Sequence, residues 1–299
     1  GLMLSSGYDS RILLSACNNL AIRLDSAYTH GLLDSLESEI AYKLAKTSRV
    51  RRIIHVDAGR EMFGTCHDFV RLFEDLGFLY HPWWRLAGEY FKSRGVLPLC
   101  GVQAEILNGQ YLQGPALVSS YWRKLTIALK GYDAYVRNKE TFVDFIFPLI
   151  RDHLIKYMNP VFSNEINTYK EETREDLYLL AKDYGELGLS WQNAVVRFLC
   201  DHDGSKVRAQ QAEILRRHTP VFTPFIGRRV FCLCNSYEDK GKVHGKAMRH
   251  MLKEYGPMLA RCRCTKSLIP VSSPDWQYFI GRMITPIAAR IRIKKFLKK

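Results

Sequence analysis

Short apolar runs alternate with amphipathic stretches over the first hundred residues of the chain. The apolar runs have the length of strands and lie at residues 2–4, 23–28, 53–56 and 96–100. The stretches between them show helical patterns and lie at residues 9–22, 34–46, 61–78 and 83–94. Strands that alternate with helices predict a parallel sheet that helices cover on both faces. From about residue 120 onward the pattern is mostly helical.

A polar turn follows the first predicted strand and leads directly into the first predicted helix. Its sequence is Ser5-Ser6-Gly7-Tyr8-Asp9-Ser10, and Asp9 or Ser10 is expected to cap the helix. Backbone N–H groups, hydroxyls and a helix N-terminus that face one point favour a phosphate or pyrophosphate. Asp9 would then hold Mg²⁺ against phosphate oxygens. The alternative is that Asp9 and Ser10 only cap the helix.

Two further positions that follow predicted strands are expected at the same edge of the sheet. Thr29 begins a predicted loop, Thr29-His30-Gly31, after the second strand, and Gly101 follows the fourth. Ligands of such sheets bind beyond the carboxyl ends of the strands. We therefore expect the Ser5–Ser10 turn, Thr29 and Gly101 to converge on one site.

Four segments of the chain, in the same order, resemble the synthetase domain of asparagine synthetase-like proteins of the ATP-pyrophosphatase superfamily. Residues 5–10 resemble the S-G-G-x-D-S pyrophosphate loop, and residues 38–45 resemble the D-E-x-x-x-A-x-x-x-A helix. Residues 101–111 are similar to the G-E-G-x-D-E-x-x-G-G-Y loop. The fourth segment has two parts, 223–226 and 240–249, which are similar to P-F-L-D and to a G-K-x-x-L-R-like helix start.

The resemblance implies a fold and a division of the chain. The fold is α/β, a doubly wound parallel sheet of the adenine nucleotide alpha hydrolase-like kind, followed by a mostly helical half. Residues 1–120 would form the nucleotide-binding core, and residues 121–299 would complete the synthetase domain. The N-terminal glutaminase domain of glutamine-using members is expected to be absent from this chain.

The resemblance also implies an activity, which is ATP-dependent amide formation. ATP adenylates a carboxylate, which is aspartate in the parent family, and pyrophosphate is released. Ammonia then attacks to give the amide and AMP. The ammonia would be free, or would come from a glutaminase domain upstream or on another chain.

The same resemblance assigns cofactors and residues. ATP and Mg²⁺ are the implied cofactors, with Asp9 and Glu105 facing the metal and Lys246 stabilising phosphate charge. Asp9, Glu105 and Lys246 are thus the implied catalytic residues. The implied ATP- and pyrophosphate-binding residues are Ser5, Ser6, Gly7, Tyr8, Asp9, Ser10, Thr29, Gly101 and Arg249.

Several positions depart from the family's pattern and leave alternatives open. Ser6 replaces a glycine, Val102 replaces a glutamate, and Gly227 replaces the aspartate of P-F-L-D. One alternative is a catalytically impaired or repurposed nucleotide-binding homologue. Another is a tailoring amide ligase that acts on a different carboxylate.

Charge, cysteine content and hydropathy indicate what to expect of nucleic-acid binding, metal sites and membrane spans. The net charge is +14, but it is spread along the chain, so no nucleic acid is expected as a partner. The eight cysteines are expected to be reduced thiols of a cytoplasmic protein, with zinc at Cys232/Cys234 and Cys262/Cys264 as the minor alternative. No apolar run is long enough to span a bilayer.

The last thirteen residues, 287–299, form a basic segment. They carry six Lys and Arg residues among isoleucines, Phe296 and Leu297. Such a segment lies on an anionic membrane surface or remains a solvated basic terminus. The solvated terminus is the interpretation that the sequence alone favours.

Overall fold

Helices and one parallel sheet make up the part of the chain that the computed structural model describes. That part comprises residues 1–57, 82–108, 136–157, 163–202, 209–237, 239–242, 245–282 and 284–285. The predicted helix at 61–78 lies outside the described residues, as do Gly109 and Tyr111 of the third family-like segment.

The sheet lies at the beginning of the chain. Its strands are β1 (Leu2–Met3), β2 (Ser26–Gly31) and β3 (Arg52–Asp57), which pair in parallel in the order β1-β2-β3. Two single parallel bridges extend it on the other side of β1, from Leu2 to Leu99 and from Leu99 to Phe222. The order across is therefore β3, β2, β1, Leu99, Phe222.

Strand boundaries differ from the prediction in one place that affects the site. β2 pairs with β3 over six residues, from Ser26 with Arg52 to Gly31 with Asp57. Thr29, His30 and Gly31 are therefore the end of a strand and not a loop, because their backbone groups complete the ladder. The predicted fourth strand at 96–100 contributes only the bridge at Leu99.

The described helices are α1 (Tyr8–Asn19), α2 (Leu36–Thr47), α3 (Pro82–Arg94), α4 (Glu105–Asn108), α5 (Lys139–Tyr157), α6 (Ser163–Glu186), α7 (Trp191–Leu199), α8 (Ala209–Arg216), α9 (Arg228–Ser236), α10 (Asp239–Lys242), α11 (Lys246–Tyr255), α12 (Pro257–Ala260) and α13 (275–282 and 284–285). Ser35 caps α2 by accepting a hydrogen bond from the Ser38 backbone N–H. Among these described helices, none has the length and apolar character needed to cross a bilayer.

The hydrophobic core joins the first and last parts of the described chain. Leu2 and Leu14 share one buried cluster with Met248, Leu252 and Tyr278. A separate cluster, which includes Phe142, Ala181 and Val195, joins α5, α6 and α7. The packing therefore joins described residues between Phe225 and Tyr278 to the start of the chain.

One glycine places α11 against the first helix. Gly245 precedes α11 with a φ of +66°, a left-handed conformation that L-residues rarely adopt. A Cβ at this position would lie 2.7 Å from Cε2 of the Tyr8 ring. Two constraints therefore favour glycine at position 245. One is the left-handed backbone conformation, and the other is the close approach to Tyr8, the first residue of α1.

We expect Gly245→Ala to destabilise the protein more than Gly95→Ala. Gly95 has a φ of +62°, but a Cβ there would have no neighbouring atom within 4 Å, so its variant has only the left-handed strain of about 1–2 kcal/mol. Gly245→Ala adds an overlap with Tyr8 that costs at least about 1 kcal/mol more. Urea denaturation of both variants measures the difference, and equal losses would contradict the proposed contact.

Candidate functional site

A cavity of about 260 Å³ lies at the carboxyl ends of β1 and β2 and beside the Leu99 bridge. Several segments meet there because the strands of the sheet are parallel and their carboxyl ends share one edge. The residues that line it are Met3, Leu4, Ser5, Asp9, Ser10, Tyr28, His30, Glu37, Trp83, Trp84, Cys100, Gly101, Val102 and Gln211.

The polar turn between β1 and α1 is held by its own hydroxyls. The Ser5 backbone N–H donates to Ser10 Oγ over 3.1 Å, and Ser10 Oγ donates to the Ser5 carbonyl over 3.2 Å. Gly7 N–H donates to Ser5 Oγ over 3.1 Å. Gly7 is the N-cap of α1 and gives it no side-chain cap, so Asp9 and Ser10 lie inside the helix and do not cap it. Both of these side chains are thereby placed on the cavity wall.

Gly101 allows the Leu99 segment to approach this turn. A Cβ at Gly101 would lie 2.9 Å from Asp9 Cβ and 3.4 Å from the Ser10 backbone nitrogen. Any larger residue would have to push the first turn of α1 away. The glycine thus allows the end of the Leu99 segment to lie against Asp9.

A buried arginine ties the turn to the far end of the chain. Arg11 has no exposed surface, and its guanidinium donates to four carbonyls. Nη2 reaches the Ser6 carbonyl over 2.9 Å, and the other acceptors are the carbonyls of Leu259, Cys262 and Arg263. Burial lowers the pKa of Arg11 from its usual value, and the nearby Cys264 and Cys262 thiols oppose that shift.

An aromatic pair forms another part of the cavity wall. The His30 imidazole stacks on the Trp83 indole, with ring centroids 4.7 Å apart and planes 13° apart. Burial, and then the neighbouring His55, lowers the pKa of His30 to about 4. His30 is therefore a neutral imidazole at neutral pH and offers a flat face rather than a charge.

The cavity offers oxygen ligands to a hard cation. Asp9 from α1 and Glu37 from the first turn of α2 both line it, together with the hydroxyls of Ser5 and Ser10. Mg²⁺ usually takes one or two carboxylates and completes its shell with water and phosphate oxygens, so this donor set fits a magnesium–phosphate complex. Within the described residues, no group of three or more His, Cys, Asp or Glu side chains is placed to hold a metal by itself.

The predicted site residues separate into two groups. Ser5, Asp9, Ser10 and Gly101 line the cavity together. The others that the structure describes are not part of its lining: Ser6, Gly7, Tyr8, Thr29, Lys246 and Arg249.

Local geometry explains why the turn and strand residues of the second group face elsewhere. Ser6 Oγ is 2.7 Å from Thr265 Oγ1, and the buried Tyr8 ring packs towards Gly245 and Tyr278. Thr29 is buried between Tyr28 and His30, which line the cavity; successive strand residues face opposite sides of a sheet.

The two basic residues of α11 differ from each other. Arg249 is only 2% exposed and donates to the carbonyls of Val271 and Ser273 and to Asp275 Oδ1, so its charge is used in packing α11 against residues 271–275 and not in the cavity. Lys246 is exposed, and its Nζ is 3.9 Å from Asp275 Oδ2. Glu105 begins α4, and its side chain lies outside the described part of the structure.

Two features of the site, Glu37 and Arg11, were not anticipated from the sequence. Glu37 follows the Ser35 cap in the helix after β2, so a strand–cap–acid pattern was an available signal. His30 belongs to the predicted Thr29-His30-Gly31 loop, and it lines the cavity from the end of β2 instead. Arg11 had no distinguishing signal, because a charged residue on an amphipathic helix is usually solvated.

We expect Arg11→Met to lower the free energy of unfolding by at least about 2 kcal/mol, because four buried carbonyls lose a charged donor. The exposed Arg23 provides a matched control, and Arg23→Met should stay within about 0.5 kcal/mol of wild type. Chemical denaturation measures both. Equal stability of the two variants would show that the Arg11 bonds contribute nothing to folding.

The low pKa of His30 predicts a stability that falls with acid. Between about pH 6.5 and about pH 4 the unfolded chain protonates this imidazole while the folded chain does not, so protons favour unfolding. When the pH is lowered from 7 to about 4, the free energy of unfolding should fall by about 3 kcal/mol less in His30→Gln than in wild type. Denaturant titrations at the two pH values test this, and parallel pH profiles would contradict it.

Comparison with known proteins adds no relative to this picture. No protein-family model matches the chain, and no curated protein matches it in sequence. The family resemblance therefore rests on the four segments alone.

Proposed function

We propose that the cavity binds the phosphates of ATP and that the chain is an ATP-dependent amide-forming ligase of the asparagine synthetase-like kind. The observation that carries this proposal is the meeting of Ser5, Asp9 and Ser10 with Gly101 in one cavity at the strand ends. These residues come from two of the four family-like segments. They lie about ninety residues apart in the sequence, so their proximity is not a consequence of local chain geometry.

The order of the strands supports a doubly wound, adenine nucleotide alpha hydrolase-like fold. After β3 the chain continues on the opposite side of β1, at Leu99 and then Phe222. Such a reversal opens a crevice between β1 and its new neighbour, and open α/β sheets bind ligands there. The Ser5–Ser10 turn and Gly101 follow those two neighbouring segments.

The turn is the proposed pyrophosphate site. The Ser5 and Ser10 hydroxyls, 3.2 Å apart, and the uncapped start of α1 favour an anion, and the helix dipole adds to this. Asp9 is the residue that would hold Mg²⁺ against the phosphate oxygens, with Glu37 and Glu105 as the other candidate carboxylates. The metal would neutralise charge on the leaving pyrophosphate.

Lys246 is the proposed mobile cation of the site. Among the described residues, the exposed side chain of Lys246 has a long contact with Asp275, and Lys246 follows Gly245, which lies against Tyr8 at the start of α1. A flexible lysine at this place can move towards phosphates bound at the turn and stabilise the charge that grows in the transition state. Arg249 would serve this step by fixing the helix that carries Lys246.

The proposed chemistry has two balanced steps. A carboxylate oxygen of the acceptor attacks the α-phosphorus of ATP, and the bond to the pyrophosphate oxygen breaks. Ammonia then attacks the acyl carbon, the bond from that carbon to the AMP oxygen breaks, and a proton is released with the amide. Aspartate is the acceptor that the resemblance implies, and a different carboxylate would make the chain a tailoring ligase.

One observation favours a second candidate, a nucleotide-binding protein without turnover. Val102 lines the cavity and is buried, and it stands where the family carries a glutamate. That part of the wall is therefore apolar and contributes no proton acceptor. Retained ATP binding with no release of pyrophosphate would distinguish this candidate from a ligase.

We expect pyrophosphate release from ATP in the presence of Mg²⁺, aspartate and ammonium, and a loss of about 10²–10³-fold in Asp9→Asn and in Lys246→Ala. Asp34→Asn changes an exposed acid that is not part of the cavity lining and should keep the wild-type rate. A coupled pyrophosphate assay gives the rates, and calorimetry with ATP gives the affinities.

The results separate the candidates from one another. Release with aspartate supports the ligase, and release only with other carboxylates supports the tailoring enzyme. ATP binding that weakens in Asp9→Asn without any release supports the binding protein. Full activity in both Asp9→Asn and Lys246→Ala, or no uptake of ATP at all, would refute the proposed site.

A further inference from the structure

The last described helix presents an apolar stripe to solvent. Trp276, Ile280 and Ile284 are 63%, 46% and 52% exposed, and their spacing of four residues places them on one face of α13. Tyr278, on another face, is fully buried, and the Arg249 guanidinium lies 3.9 Å from its ring centroid. α13 is therefore anchored to the protein along one side and leaves large apolar groups uncovered on another.

The sequence around and after this stripe is strongly basic. Residues 276–299 contain seven Lys and Arg residues and no Asp or Glu, although the whole chain has 30 acidic residues. Apolar residues continue among these charges, including Ile287, Ile291 and Phe296. This segment thus combines local positive charge with apolar side chains.

We propose that the α13 stripe docks on an anionic lipid bilayer, and that the positive charge of the sequence that follows the stripe adds to the attraction. Indole and isoleucine side chains gain free energy when they enter the interface between headgroups and acyl chains, and Lys and Arg are attracted to anionic headgroups. Neither contribution depends on the cavity, so this proposal stands apart from the ligase proposal.

Charge complementarity selects this occupant over two others. A second copy of the chain would carry the same net positive charge in residues 276–299, and like charges repel. A nucleic acid would satisfy the charge but would leave the indole of Trp276 and the side chains of Ile280 and Ile284 in water. An anionic bilayer accepts both the charge and the apolar stripe.

Flotation of the full chain with lipid vesicles tests the proposal. We expect it to float with phosphatidylcholine vesicles that contain about one third phosphatidylglycerol, and not with phosphatidylcholine alone. Binding should weaken at least about tenfold when salt is raised from about 0.1 M to about 0.5 M, because screening shortens the reach of the charges.

Matched variants separate the two contributions. Ile280→Glu places a charge in the stripe and should reduce binding at least about tenfold, and circular dichroism checks that this half-exposed position still allows the protein to fold. Leu233→Glu changes an apolar residue of α9 that is 71% exposed and should bind as wild type. Lys294→Gln with Lys295→Gln should weaken binding by about 25-fold, at about fivefold for each charge.

Four outcomes would overturn the proposal. The first is no flotation of the wild type at low salt, and the second is an Ile280→Glu variant that floats as well as wild type. The third is an equal loss in Leu233→Glu, which would point to general stickiness. The fourth is binding of an oligonucleotide, or a concentration-dependent dimer by light scattering, that depends on these residues while vesicles fail to bind.

Discussion

The bonds of Arg11 are the constraint on which the geometry of the site depends. One guanidinium joins the Ser6 carbonyl of the polar turn to three carbonyls between Leu259 and Arg263. The same turn is fixed on its other side by Gly101, which packs against Asp9. The position and shape of the Ser5–Ser10 turn are therefore set by contacts from three parts of the sequence together with the hydroxyls of Ser5 and Ser10.

Local pattern predicted the parallel strands β1, β2 and β3, because buried parallel strands and amphipathic helices leave strong periodic signals, but it did not predict the bridge to Phe222. β1, β3 and α2 lie within about two residues of their predicted positions. The convergence of the Ser5–Ser10 turn and Gly101 followed from a general property of parallel sheets. Thr29 was predicted to begin a loop at the site, but β2 extends to Gly31. Because successive side chains of a strand face opposite sides of the sheet, His30 lines the cavity and Thr29 does not.

Contacts with residues far away in the sequence explain why the sequence pattern did not predict two buried arginines. Arg11 and Arg249 look like solvated helix residues in the sequence, and Arg249 resembles a phosphate ligand. Both are buried because backbone carbonyls from residues 259–263 and 271–273 converge on them. A single sequence has no periodic trace of such acceptors, since any residue type supplies a carbonyl.

The position of Phe222 in the sheet has a consequence for how the molecule is made. Leu99 forms backbone hydrogen bonds with the first residues of the chain, and the Cys100 N–H donates to the Phe222 carbonyl. This side of the sheet therefore cannot be completed until Phe222 has been synthesised. A ribosome must have translated more than two-thirds of the chain before that edge can close. Such distant pairing slows folding and leaves nascent strands open to chaperones or to wrong partners in the meantime.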